Sequence, residues 1–91
     1  MSNPQIRMYC TSMCPYCIRA NQLLESKGVK FEKIDASSAK KWQEMETASN
    51  RSTVPQIFVG ELHLGGYDDI AALERAGKLD GILSGEVKAL D

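Results

Sequence analysis

Cys14 and Cys17 stand two residues apart in the run Cys14-Pro15-Tyr16-Cys17, and two thiols at that spacing do one of two kinds of chemistry. They exchange with disulfides, or they supply half of a zinc site. A zinc site needs two further ligands, and only Cys10 and His63 remain as soft or imidazole donors. The redox reading is the stronger one, because the pair falls where a strand runs into a helix. At a helix start, free N–H groups and the positive end of the dipole favour a thiolate, so Cys14 is the expected nucleophile. Cys17 lies one turn on, within disulfide reach and further from the helix terminus, which suits a resolving thiol. Pro15 fixes the backbone between them. Cys10, at a strand end, reads as a small buried hydrophobe, and His63 as a solvated side chain pointing outward from a hairpin strand.

The elements that must position this pair follow in a simple order. Gln5 to Tyr9 alternates as a first strand and meets Cys10-Thr11-Ser12, which form a loop. Pro15 suits the first turn of a helix that carries Ile18, Ala20, Leu23 and Leu24 and stops at Gly28. Val29 to Ile34 alternates as a second strand. The cluster from Asp35 to Ser38 offers caps for a second helix with Trp42, Met45 and Ala48 on one side, Trp42 serving as a packing residue. Gln56 to Val59 and Leu62 to Leu64 are short strands about a Gly60-Glu61 turn. Asp68 or Asp69 caps a third helix through Ile70 and Leu73 that ends at Gly77, and Leu79 to Leu83 adds a turn or short helix. A tail from Gly85 is expected to be loose. The expected class is α/β, a four-stranded mixed β-sheet flanked by helices.

Ninety-one residues hold a single hydrophobic core, so residues 1–91 are expected to form one domain. Eleven basic and twelve acidic residues leave a formal net charge of −1, which lacks the basic excess of a nucleic-acid or anionic-membrane binder. The N-terminal run has no apolar stretch of signal-peptide length, and no window approaches a membrane span. With three cysteines, an odd number, a stapled secreted framework is a poor fit and a cytoplasmic location is expected.

Cys14-Pro15-Tyr16-Cys17, Thr53-Val54-Pro55 and Gly65-Gly66-Tyr67-Asp68-Asp69 occur in the order and spacing of the glutaredoxins, and from Ile6 to Leu83 the chain resembles the compact bacterial dithiol members of that family. The resemblance implies a thioredoxin-like fold, a cis bond before Pro55 facing Cys14, and glutathione as co-substrate with no tightly bound cofactor and no metal. It implies that Val54 pairs through its backbone with the cysteinyl part of glutathione, and that Tyr16, Thr53 and Pro55 line the same groove. Gly66, Tyr67, Asp68 and Asp69 would hold the γ-glutamyl end. General chemistry agrees: glycines admit close backbone approach, helix N-termini bind carboxylates, and either aspartate can pair with an α-amino group. Implied partners are glutathionylated or disulfide-containing proteins, ribonucleotide reductase among the candidates, acted on by a monomer.

Two positions depart from the family's habit. Thr11 stands where many members carry a basic residue, which leaves Arg51 and Gln56 as candidates for the glycine carboxylate of glutathione. Tyr67 stands where related sequences often have cysteine. A thioredoxin-like reductase would call for a Trp-Gly-Pro style of motif, and the only tryptophan is Trp42. A scaffold holding an iron–sulfur cluster between two copies through Cys14 is disfavoured by Pro15 and the second thiol.

Overall fold

Alternation along β1 (Ile6–Cys10) sends Ile6 and Met8 to one face of a sheet and Tyr9 to the other, and both faces are covered. The computed structural model describes residues 5–86. After β1 come α1 (Pro15–Ser26), β2 (Glu32–Asp35), α2 (Ala39–Ser49), β3 (Gln56–Val59), β4 (Leu62–Gly65), α3 (Tyr67–Arg75) and α4 (Leu79–Leu83). The sheet order is β2-β1-β3-β4, with β1 parallel to β2 and antiparallel to β3, and β3 antiparallel to β4. This is the four-stranded mixed sheet flanked by helices that the sequence led us to expect. Among the described residues no helix is long and apolar enough to cross a membrane.

On one face Ile6, Met8, Ile57, Val59 and Leu64 meet Ala20 and Leu24 of α1, Ile70 of α3, and α4. Burying a leucine or isoleucine completely stabilises the fold by about 1.5–3 kcal/mol, so this layer fixes where α1 and α3 lie. On the other face Tyr9 and Phe58 pack with Ala36 and Met45, and Trp42 lies against them as the packing residue expected. The Tyr9 hydroxyl donates to Glu44 Oε2 at 2.7 Å, which ties β1 to α2.

Several boundaries differ from the sequence reading. The second strand begins at Glu32, because pairing with β1 starts at Arg7 opposite Glu32, and Val29 and Phe31 pack on the first core from outside the sheet. On α2, Ala48 is exposed and Ser49 is buried in its place, its hydroxyl donating to the Met45 carbonyl at 2.7 Å. The helix is capped from the expected cluster by Ser38, whose Oγ accepts the Lys41 N–H. The Gly60-Glu61 turn joins Val59 and Leu62 as expected, with Gly60 at φ +61°. The N-cap of α3 is Gly66 rather than an aspartate. Asp69 reaches back from the third helical position to accept the Gly66 N–H at 2.8 Å, the acidic half of a capping box. Gly77 ends the helix with φ +73°, and Leu79–Leu83 is helical. Most of the tail expected to be loose, from residue 87 on, lies outside the described residues.

Candidate active site

Three residues, Thr11 to Met13, carry the chain from β1 into α1 and leave Cys14 at the N-cap with extended backbone. Pro15 opens the helix, where its missing N–H goes unneeded, and the Cys14 carbonyl accepts the Ile18 N–H at 3.1 Å. Cys14 is half-buried, and its thiol donates to the Val54 carbonyl at 3.8 Å. Cys17 is buried in the first turn of α1. Burial pushes the Cys17 thiol up to about 12; Cys14 beside it acts in the same direction and the Thr11 backbone against it. The two thiols are therefore unequal, one presented at the helix start and one kept protonated behind it. Cys10 is half-buried against the first core, and burial raises its thiol as well.

The Val54–Pro55 bond is cis, as the resemblance implied. Val54 is half-buried, Pro55 buried and Thr53 exposed. Gly66 packs so tightly on this loop that a Cβ there would lie 3.2 Å from the Pro55 carbonyl oxygen. The Tyr16 and Tyr67 rings, 6.4 Å apart, join the start of α1 to the start of α3. Thus the three motifs meet pairwise: Cys14 with Val54, Pro55 with Gly66, and Tyr16 with Tyr67. Met13, Tyr16 and Ile18 are the exposed large apolar side chains of the described residues, and all lie within four residues of Cys14 along the chain.

The expected binding residues are gathered, but their engagements differ from expectation. Asp69 Oδ2 accepts both the Gly66 N–H and the Arg51 guanidinium, each at 2.8 Å. Burial alone would raise the Asp69 carboxyl, yet Arg51 and the Gly66 N–H hold it below the ordinary carboxylate range. Asp68 is exposed. Gly65, at φ +109°, leaves room for that carboxylate, since a Cβ would stand 2.6 Å from Asp69 Cγ. The close approach served by Gly65 and Gly66 is thus first of all to the chain's own Asp69 and Pro55.

Gln56 is unavailable for a ligand carboxylate. It is completely buried, and its Nε2 donates to the Thr53 carbonyl and hydroxyl at 3.0 and 3.1 Å. Nor is His63 solvated: it is half-buried, stacked on Phe58 at 4.8 Å, with Nε2 2.6 Å from Gln56 Oε1. Burial first, then Arg51, lowers its pKa, with Asp69 opposing. Among the described residues no three His, Cys, Asp or Glu side chains cluster as a metal site. Two features escaped the sequence reading. Arg19 sits over the Tyr16 ring at 5.7 Å, a pairing three residues apart on one helix that the sequence did contain. The Arg51–Asp69 pair had no such signal.

The glutaredoxin family profile matches residues 6–64, more than half of the chain. The chain belongs to the glutaredoxin family. It is 51% identical over 82 residues to a glutaredoxin of Pseudomonas aeruginosa, an alignment covering 89% of this chain and 98% of that one. The solution structure of a glutaredoxin from Brucella melitensis superposes with a TM-score of 0.85 at 45% identity, covering 97% of each chain. The crystal structure of a buckwheat glutaredoxin–glutathione complex superposes at 0.81 with 26% identity, covering 91% of this chain and 78% of that one. As a glutaredoxin the chain has the thioredoxin-like fold and the family's general activity, glutathione-dependent thiol-disulfide exchange.

Proposed function

We propose that this glutaredoxin reduces protein–glutathione mixed disulfides and protein or small-molecule disulfides, with Cys14 as nucleophile and Cys17 as resolving thiol. The observation that carries this is the inequality of the thiols: Cys14 lies half-buried at the helix start against the Val54 carbonyl, and Cys17 is buried and held protonated. The Cys14 thiolate attacks the glutathione sulfur of a mixed disulfide, the substrate leaves as a thiolate that takes a proton, and Cys14 is left joined to glutathione. A second glutathione thiolate attacks that sulfur, freeing Cys14 and leaving as oxidised glutathione. With an ordinary disulfide Cys17 displaces the substrate from Cys14, and two glutathiones later reduce the Cys14–Cys17 bond.

In this reading the cysteinyl part of glutathione lies along Val54 as an added strand, beside Tyr16, Thr53 and Pro55. Its γ-glutamyl carboxylate meets the N–H groups of Tyr67 and Asp68 in the first turn of α3, Gly66 giving the close approach while its own N–H is held by Asp69, and the exposed Asp68 side chain takes the α-amino group. Asp69 fixes the turn that presents these groups. Arg51, held by Asp69, remains the candidate for the glycine carboxylate. The partners are glutathionylated or disulfide-containing proteins, ribonucleotide reductase being one candidate, and the setting is the cytoplasm. Incubating Cys17→Ser with a glutathionylated peptide should leave a single glutathione on Cys14, located by fragment mass spectrometry. Glutathione on Cys10, or none, would overturn the assignment.

A further inference from the structure

Gln56 is a fully buried polar side chain beside the loop on which Cys14 leans, and its amide has a defined orientation. Nε2 stands 3.0 Å from the Thr53 carbonyl and 3.1 Å from the Thr53 hydroxyl. A carbonyl oxygen only accepts, so the amide nitrogen belongs on that side. Oε1 therefore faces His63 Nε2 at 2.6 Å, and since an amide oxygen also only accepts, Nε2 carries the hydrogen and donates. The bonds run in one direction, from His63 to Gln56 to Thr53. Phe58 holds the imidazole in place by stacking at 4.8 Å. Thr53 is exposed, and its next residue, Val54, receives the Cys14 thiol.

We infer that His63 is a positioning residue for thiol transfer: by fixing the Gln56 amide it holds Thr53 and Val54 in the register in which a glutathione backbone pairs with them. His63 reaches the groove only through Gln56. Without the imidazole donor Oε1 is left buried and unpaired, and the amide keeps only its Thr53 bonds, so it shifts to relieve the unpaired oxygen and loosens its grip on Thr53. The inference rests on the proposed glutathione groove at Val54.

The test is a titration of the reduced, 15N-labelled protein with S-methylglutathione, which has no thiol to exchange, followed at the Val54 amide, with chemical unfolding run in parallel. In wild type the Val54 resonance should shift. In His63→Leu the dissociation constant should rise roughly tenfold, as for loss of one oriented hydrogen bond, and stability should fall because Gln56 Oε1 is left unpaired. His63→Gln, which restores an N–H donor, should recover both. The double variant Gln56→Leu with His63→Leu removes both buried partners, so stability should return while affinity stays low, because no side chain then grips Thr53. Affinity that returns together with stability in the double variant, or that never changes in His63→Leu, overturns the positioning role alone. A Val54 resonance that ignores S-methylglutathione in wild type overturns the groove reading, and the inference with it.

Discussion

Arg51 and Asp69, eighteen residues apart, share a 2.8 Å ion pair through the carboxylate oxygen that also accepts the Gly66 N–H. The ion pair is half-exposed, and such pairs contribute roughly 0–1 kcal/mol, so Arg51→Ala should cost little stability. Asp69→Ala also removes the cap at the start of α3 and should cost about 1–2 kcal/mol while raising the Michaelis constant for glutathione. The Asp69 carboxyl titrates below its ordinary 3.8 in the folded protein, so its contribution is complete above that value and is lost as pH falls through the folded one. Urea unfolding should therefore show an acid loss of stability that Asp69→Asn reduces; identical acid limbs would refute the pairing.

The cysteines should differ in reactivity as sharply as in placement. With burial pushing Cys17 up to about 12, almost none of it is thiolate near pH 8. Iodoacetamide should alkylate Cys14 in Cys17→Ser far faster than Cys17 in Cys14→Ser. In assays Cys14→Ser should be inactive, while Cys17→Ser keeps deglutathionylation and loses reduction of substrates that need both thiols. Equal loss in the two variants on a glutathionylated peptide would contradict the roles.

Gly65→Ala should be costly, since it combines a positive φ with a Cβ placed into the Asp69 carboxyl. A loss of about 2–4 kcal/mol in urea unfolding is expected. Gly28→Ala, also at positive φ but facing open space, should cost only about 1–2 kcal/mol. Equal costs would mean that Asp69 moves aside freely.

His63 gives a separate acid signature. Its folded pKa lies below the ordinary 6.5, so the unfolded chain takes up the proton first as pH falls. Stability attributable to neutral His63 is complete above about 6.5 and declines below it towards the folded value. His63→Gln should flatten the stability profile over that interval, measured by thermal unfolding from pH 7.5 to 5.

The element order and the two thiols were legible because their signals are local: a proline after Cys14, glycines at turns, alternation in short strands. Helices on both sides of the sheet were expected, but alternation could not say which outward-facing side chains of the hairpin they and their neighbours would cover. His63 was read as solvated since it points away from Leu64, yet that side holds Phe58 and Gln56. Likewise β2 begins where β1 offers partners, which apolar spacing in Val29 to Ile34 does not encode. Gln56 stood as a candidate for the glycine carboxylate because its actual partners are set by the turn of the backbone at Thr53 and by the facing strand. The Gly65-Gly66 pair was legible as a site of close approach, but the approaching groups, Asp69 and Pro55, emerge only from the folded chain.

The contact between Cys14 and Val54 spans forty residues of chain. Helix α1 is a local structure that can form early, whereas the groove exists only after β3 has docked beside β1 and closed that long loop, a step with its own entropic cost. A nascent or partly denatured chain with α1 formed carries both thiols but lacks the Val54 edge on which we propose that glutathione aligns. In the proposed groove, glutathione selectivity is thereby a late product of folding, and the rate of transfer from a glutathionylated peptide should register completed assembly of the sheet in a way that helical content does not.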